Sequence, residues 1–273
     1  MVNIINVAKK ELFDIFSSKI VVFSILVYML IVIGFTYDFY KAVLESTFVR
    51  DYFLSNTINV LAFQLYYYGT IIAIVLGYFS ITNEYNSNAI RVLMVKPVYR
   101  DTIINGKLFA ALAFFLVLFL FITILYISLL FILFGDMIGQ VFLQFLNGVT
   151  VVLFLSLLVM MFFFSISMLI SLIFKEQSLG LFISLLLVIV VLILLPNIAV
   201  SWYLSLLFGS DQQSVFMMIS GLSPRVMMEN ILSGKSWDFD SVLTHSFDIV
   251  KLMLCSLMAT VASYIVFIRK DIV

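Results

Sequence analysis

The stretch that decides the fold is residues 108–134, which read LFAALAFFLVLFLFITILYISLLFILF. None of these residues carries a charge. As an α-helix with a rise of 1.5 Å per residue the run would be about 40 Å long, which exceeds the hydrocarbon core of a bilayer, about 30 Å thick. The run therefore predicts a transmembrane helix.

Five more runs of the same kind predict five further spans, at residues 20–37, 58–82, 146–174, 179–200 and 251–268. Over the whole chain 64% of the residues are hydrophobic and 11% are charged, whereas soluble domains have about 45–50% and about 25%. We therefore expect an all-α membrane protein with one six-span domain over residues 1–273, embedded in membrane lipid.

The basic residues are distributed unevenly over the connecting segments. With the N-terminus inside, ten of the 15 lysines and arginines lie in inner segments and five in outer segments. Because cytoplasmic loops are enriched in lysine and arginine, we expect both termini in the cytoplasm and the chain in the cell membrane. The outer segment before the last span, residues 201–250, should then hold short extracytoplasmic helices.

Ahead of the first span, apolar residues recur at helical spacing: Ile5, Ala8, Leu12, Ile15 and Phe16. Charged residues occupy another side of the same helix, as in helices that lie along a membrane surface. The pattern is equally compatible with a cytoplasmic extension of the first span.

The chemistry of an enzyme is not evident in this sequence. The single histidine, His245, cannot form the two-histidine zinc motif of a metalloprotease. Gly234-Lys235-Ser236 matches only the end of a phosphate-binding loop, and a turn after a short helix starting with Ser223 as cap and Pro224 explains it better. We expect no catalytic residues, no metal site, no cofactor and, at zero formal net charge, no nucleic-acid partner.

The most informative segment lies between the second and third spans, at residues 83–107, and reads NEYNSNAIRVLMVKPVYRDTIINGK. Its first half can form a short helix that Pro97 ends. The segment predicts a basic surface at the cytoplasmic boundary, formed by Arg91, Lys96, Arg100 and Lys107. Such a surface is typical of inner loops near anionic lipid, and equally of a docking element for a cytoplasmic partner.

Segment 83–107 resembles the coupling region of type-2 ATP-binding cassette (ABC) transporter permeases. In that family a glutamate after the second span leads into a short helix, a leucine-rich turn, Pro-x-x-Arg, and Gly-Lys at the third span. The matching positions are Glu84, Leu93, Pro97, Arg100, Gly106 and Lys107. Where the family usually has Gly-Thr after the glutamate, this chain has Asn88-Ala89.

The resemblance extends along the chain. The amphipathic lead-in is similar to the family's elbow helix, Ser223-Pro224 to an outer element before the sixth span, and residues 267–271 to its usual ending. It implies a second permease copy, identical or related, and a separate cytoplasmic ABC ATPase that holds ATP and magnesium. It also allows an extracytoplasmic partner at 201–250.

The resemblance further implies an ATPase-coupling interface with two parts. In segment 83–107, Glu84 and Arg91 would make polar contacts, and Ile90 and Leu93 would form an apolar plug. The inner turn with Lys175 and Glu176 would be a second, smaller contact.

The expected function is export of an apolar or amphipathic substrate such as a peptide, drug or lipid. Spans without ionisable groups offer few ligands to a bare ion. Two other classes remain open: a self-sufficient secondary transporter or channel, and a non-transporting membrane immunity or scaffold protein.

Overall fold

The computed structural model describes residues 4–45, 52–86, 100–174, 177–208, 211–232 and 246–269. These residues form ten helices and no strand, which confirms the all-α prediction. The helices are α1 (Ile4–Ser17), α2 (Lys19–Glu45), α3 (Phe53–Phe63, π-helical Gln64–Tyr68 and Gly69–Asn86), α4 (Arg100–Phe134), α5 (Asp136–Ile173), α6 (Gln177–Val188 and π-helical Ile189–Leu194), α7 (Ile198–Phe208), α8 (Gln212–Ser220), α9 (Pro224–Leu232) and α10 (Ser246–Arg269).

Five of these helices, namely α2, α3, α4, α5 and α10, are long and apolar enough to cross a membrane. A sixth span exists if α6 and α7 are taken together as one bent element. The prediction of about six spans is therefore confirmed as five to six candidate spans.

The fifth predicted span, 179–200, differs from the structure in its last six residues. The helix breaks after Leu194, and its continuation, Ile198–Leu207, turns away by 89°. Pro196 lies in the break, where it has no backbone N–H to donate and its ring obstructs a continuing helix. The short helices α7, α8 and α9 follow in the segment for which short helices were predicted.

Helices α3 and α5 form the centre of the bundle. A Cβ atom added to Gly77 on α3 would collide with the backbone carbonyl of Phe164 on α5, so the two backbones are in direct contact. One turn away, Ser167 of α5 donates a hydrogen bond to the carbonyl oxygen of Ile74 at 2.7 Å. Small residues permit this close approach between helices in membranes.

The first and last spans are peripheral. In the most apolar window of α3, 67% of the residues are buried, against 22% in α2 and in α10. Helix α10 packs on α5, and its buried face includes the small residues Ser256, Ala259 and Ser263. The other faces of α2 and α10 are apolar and uncovered, as expected for surfaces that contact lipid or another membrane chain.

Helix α1 follows α4 in the same direction. Val7 lies against Gly106, Phe16 contacts Phe114 with ring centroids 5.3 Å apart, and on α2 Phe39 contacts Phe134 at 5.6 Å. Residues later in α1 and α2 contact residues later in α4, so α1 and α2 run parallel to α4. A break at Ser18 separates α1 from α2. An orientation of α1 flat on the membrane surface is not confirmed, and these contacts favour an extension of the first span.

Candidate functional site

Lys107 lies at the end of the bundle that carries α1, near the start of α4. Its ammonium group donates hydrogen bonds to Oε2 of Glu11 on α1 at 2.9 Å and to the carbonyl oxygen of Ser80 on α3 at 2.8 Å. The side chain of Lys107 is only 1% exposed, and that of Glu11 is 13% exposed. A buried cation is tolerated only with such partners, so Lys107 joins three helices at one point.

Gly106 provides the space that this arrangement needs. A Cβ atom there would lie 2.6 Å from Cγ1 of Val7 and 3.4 Å from the backbone nitrogen of Ala8. Any side chain would therefore push α1 away from α4. Gly106 thus allows α1 to lie directly against α4, and the ion pair of Lys107 with Glu11 holds it in that position.

The surface position predicted for Lys107 is wrong in this respect, because its ammonium group points into the bundle towards Glu11. The sequence shows Lys107 beside basic residues, but it does not show that the carboxylate of Glu11 lies within 3 Å. The assignment of Gly106 and Lys107 to the ATPase-coupling interface stays a prediction, and the contribution of Lys107 would pass through α1 and α3.

The other predicted coupling residues are placed only in part. Glu84 lies in the last turn of α3, and Arg100 is the first residue of α4. The predicted coupling segment therefore includes the end of α3 and the start of α4. Outside the described residues lie Ile90, Arg91, Leu93, Pro97, Lys175 and Glu176, and their roles stay predictions.

Over nearly its whole length the chain matches a known family. The family model described as ABC-2 family transporter protein covers residues 5–272, from the first turn of α1 to beyond the end of α10. The chain belongs to the ABC-2 transporter family. The resemblance to type-2 ABC transporter permeases is thus confirmed. No curated protein matches the chain.

Membership of the ABC-2 transporter family indicates the general role of the protein. ABC-2 permeases are membrane subunits, generally without enzymatic activity, that normally work with a cytoplasmic ABC ATPase. The protein is therefore a multi-pass membrane subunit of an ABC transporter. Within the part of the chain that the structure describes, no group of three or more His, Cys, Asp or Glu residues is placed to hold a metal ion.

A second polar cluster of this ABC-2 permease lies at the start of α9. Arg225 donates from Nε to Oε1 of Glu229 at 2.7 Å, and the hydroxyl of Tyr66 on α3 donates to the same oxygen at 3.4 Å. The guanidinium also lies over the ring of Tyr67, 5.6 Å from its centroid. Partial burial lowers the pKa of Arg225, but the hydrogen bond and charge of Glu229 raise it more, so the pKa lies above its usual value.

The same cluster is tied to the end of α6. Ser223 donates from its hydroxyl to the carbonyl oxygen of Val191 at 2.8 Å, in the π-helical turns of α6. Pro224 is the first helical residue of α9, as predicted, but the Ser223 hydroxyl binds α6 instead of capping α9. This cluster thus connects α3, α6 and α9.

The sequence alone predicts neither the junction at Lys107 nor the cluster at Arg225, because each joins residues that lie far apart along the chain. The four-residue spacing of Arg225 and Glu229 on a helix could have indicated their ion pair. The charged face of α1 could likewise have indicated that Glu11 needs a partner. Nothing in the local pattern indicates that Lys107 or Tyr66 is that partner, because the contacting residues are far apart along the chain.

Proposed function

We propose that this ABC-2 permease is the membrane subunit of an exporter that moves an apolar or amphipathic substrate across the cell membrane. A separate ATPase drives it from the end of the bundle that carries α1, which is the cytoplasmic end. The observation that supports this best is the buried junction at Lys107, the last residue of the predicted coupling segment.

The junction offers a mechanical route from the ATPase to the spans. Segment 83–107 joins the last turns of α3 to the start of α4. Because Lys107 binds both Glu11 and Ser80, a displacement of the segment would move α1, α3 and α4 together. The direct contact of α3 with α5 at Gly77 would carry the movement into the centre of the bundle.

The periphery of the bundle supports a second permease copy. Both α2 and α10 leave most of their apolar surface uncovered. In an ABC-2 exporter, such faces would pack against the equivalent spans of the second copy or against lipid. Spans that present mainly hydroxyl groups and apolar side chains suit an apolar or amphipathic cargo better than an ion.

The decisive experiment is co-purification with a cytoplasmic ABC ATPase subunit from the same cells, followed by measurement of transport-coupled ATP hydrolysis in liposomes. Replacement of Arg91 and Leu93 by alanine should keep the complex in the membrane but lower substrate-stimulated ATP hydrolysis. The physical reason is loss of the charged contact of Arg91 and of the Leu93 half of the apolar plug at the ATPase surface.

A matched control is the double substitution Lys41→Ala and Leu44→Ala. These residues lie near the opposite end of α2, and Leu44 is 64% exposed. The control should leave stimulation unchanged. Equal stimulation in the Arg91/Leu93 variant and in the wild type would reject the coupling role of segment 83–107, and transport by the chain alone would reject the exporter assignment.

A further inference from the structure

A cleft of about 420 Å³ opens between α1, α2 and α3 at the same end of the bundle as Lys107. Its volume lies within the range of about 300–1,000 Å³ that is usual for small-molecule sites. All five of the first helices contribute to its walls.

The lining divides into a charged end and an apolar end. At the charged end, α1 supplies the exposed side chains of Lys10 and Asp14 together with Glu11, and α4 supplies the buried Lys107. The apolar end lies further along the spans, where α3 supplies Val75 and Leu76. A molecule that fits this cleft has a charged head and an apolar tail.

The charges at this end of the cleft point to the kind of head group. Two cations, Lys10 and Lys107, accompany two carboxylates, Glu11 and Asp14, so the charges of the described residues that line the cleft sum to zero. Lys107 and Glu11 bind each other at 2.9 Å. The ammonium of Lys10 lies 3.9 Å from Glu11 and 3.7 Å from Asp14, beyond hydrogen-bond distance.

We propose that this cleft binds a zwitterionic phospholipid taken from the surrounding membrane leaflet. Lys10 donates to the lipid phosphate, and Asp14 accepts from the lipid ammonium. The part of the acyl chains nearest the head group lies against Val75 and Leu76. An anionic lipid lacks the ammonium, so its phosphate would occupy Lys10 and leave the carboxylate of Asp14 without a cation, whereas Glu11 keeps Lys107. The site needs neither the ATPase nor a transported substrate, so it is independent of the proposed function.

The test uses the full chain, purified in detergent, depleted of lipid and then supplied with phosphatidylethanolamine or phosphatidylglycerol. Native mass spectrometry measures the fraction of protein that retains each lipid. We expect the wild type to retain phosphatidylethanolamine preferentially. Lys10→Gln and Asp14→Asn should each lower its affinity about tenfold, since each removes one charge-assisted hydrogen bond.

Two further variants separate the site from a general effect on folding. Val75→Trp fills the apolar end of the cleft and should abolish retention. Lys41→Gln removes an exposed cation near the other end of α2 and should leave retention unchanged. Lys10 and Asp14 have side chains that are 62% and 56% exposed, so their neutral variants should fold normally.

The outcomes that overturn the proposal are specific. Equal retention of the two lipids by the wild type would reject a zwitterionic site. Undiminished retention in the Lys10, Asp14 and Val75 variants would place the lipid elsewhere. Competition by soluble glycerophosphoethanolamine as strongly as by the whole lipid would reject the membrane as the source.

Discussion

Loss of the Lys107 ammonium should destabilise this ABC-2 permease more than loss of any exposed cation. Lys107→Met keeps the length and apolar stem of the side chain but removes both hydrogen bonds, at 2.9 Å to Glu11 and 2.8 Å to the carbonyl of Ser80. Glu11 is then left 13% exposed with no hydrogen-bonded cation, since the ammonium of Lys10 lies 3.9 Å away. Removal of one partner from a buried ion pair costs about 3–5 kcal/mol, and the partial access of water to Glu11 places the expected cost near about 3 kcal/mol.

A double-mutant cycle shows whether that cost belongs to the pair. Glu11→Gln in the Lys107→Met background removes the uncompensated carboxylate, so the double variant should be more stable than Lys107→Met alone. We expect an interaction energy of about 2 kcal/mol, within the range of contacting residues. The assay is reversible unfolding in mixed micelles with increasing dodecyl sulfate, followed by far-UV circular dichroism and tryptophan fluorescence.

The control is Lys41→Met, which removes an exposed cation and should change the unfolding free energy by less than about 0.5 kcal/mol. Additive effects of the Lys107 and Glu11 substitutions would show that the two side chains do not meet. A Lys107 variant no less stable than the Lys41 variant would refute the buried position of Lys107.

Two further predictions concern the centre of the bundle. Gln64→Leu should raise the unfolding free energy by about 1–3 kcal/mol, because both side-chain amide atoms of Gln64 are buried and lack a hydrogen-bond partner; a loss of stability in the same unfolding assay would mean that the amide has a partner. Gly77→Ala should cost about 1–3 kcal/mol, because the added methyl group meets the backbone of Phe164. Gly34→Ala, at a position with nothing within 4 Å, is its matched control, and equal effects of the two alanine substitutions would contradict direct contact of α3 with α5.

The junction at Lys107 also changes the interpretation of the predicted coupling region. The Gly-Lys pair matches a family pattern in the sequence, but in the structure it holds α1 against α4 and α3. The residues that would contact the ATPase directly are then those of segment 83–107 ahead of Gly106. Lys107 would be a positioning residue that transmits movement to α1.

The local pattern predicted most of the helices because an apolar run of span length has few other structures available in lipid. Five predicted spans, 20–37, 58–82, 108–134, 146–174 and 251–268, correspond to α2, α3, α4, α5 and α10. For the fifth run, the prediction of one continuous span to residue 200 is wrong beyond Leu194, where the helix breaks. Pro196 was visible there, but proline also occurs within transmembrane helices, so its presence alone did not determine a turn of 89°.

By itself, the amino-acid sequence determined that this protein lies in a membrane, the approximate positions of five of its candidate spans, and its family. These depend on hydropathy and on residue order, both of which are properties of neighbouring residues. Only the tertiary structure decided which residues meet across the bundle. Glu11, Ser80 and Lys107 form one buried junction, and Tyr66 meets Glu229, because helix packing brings together groups that lie far apart in the chain. An ion pair of this kind depends on distances of about 3 Å, which no pattern of neighbouring residues specifies.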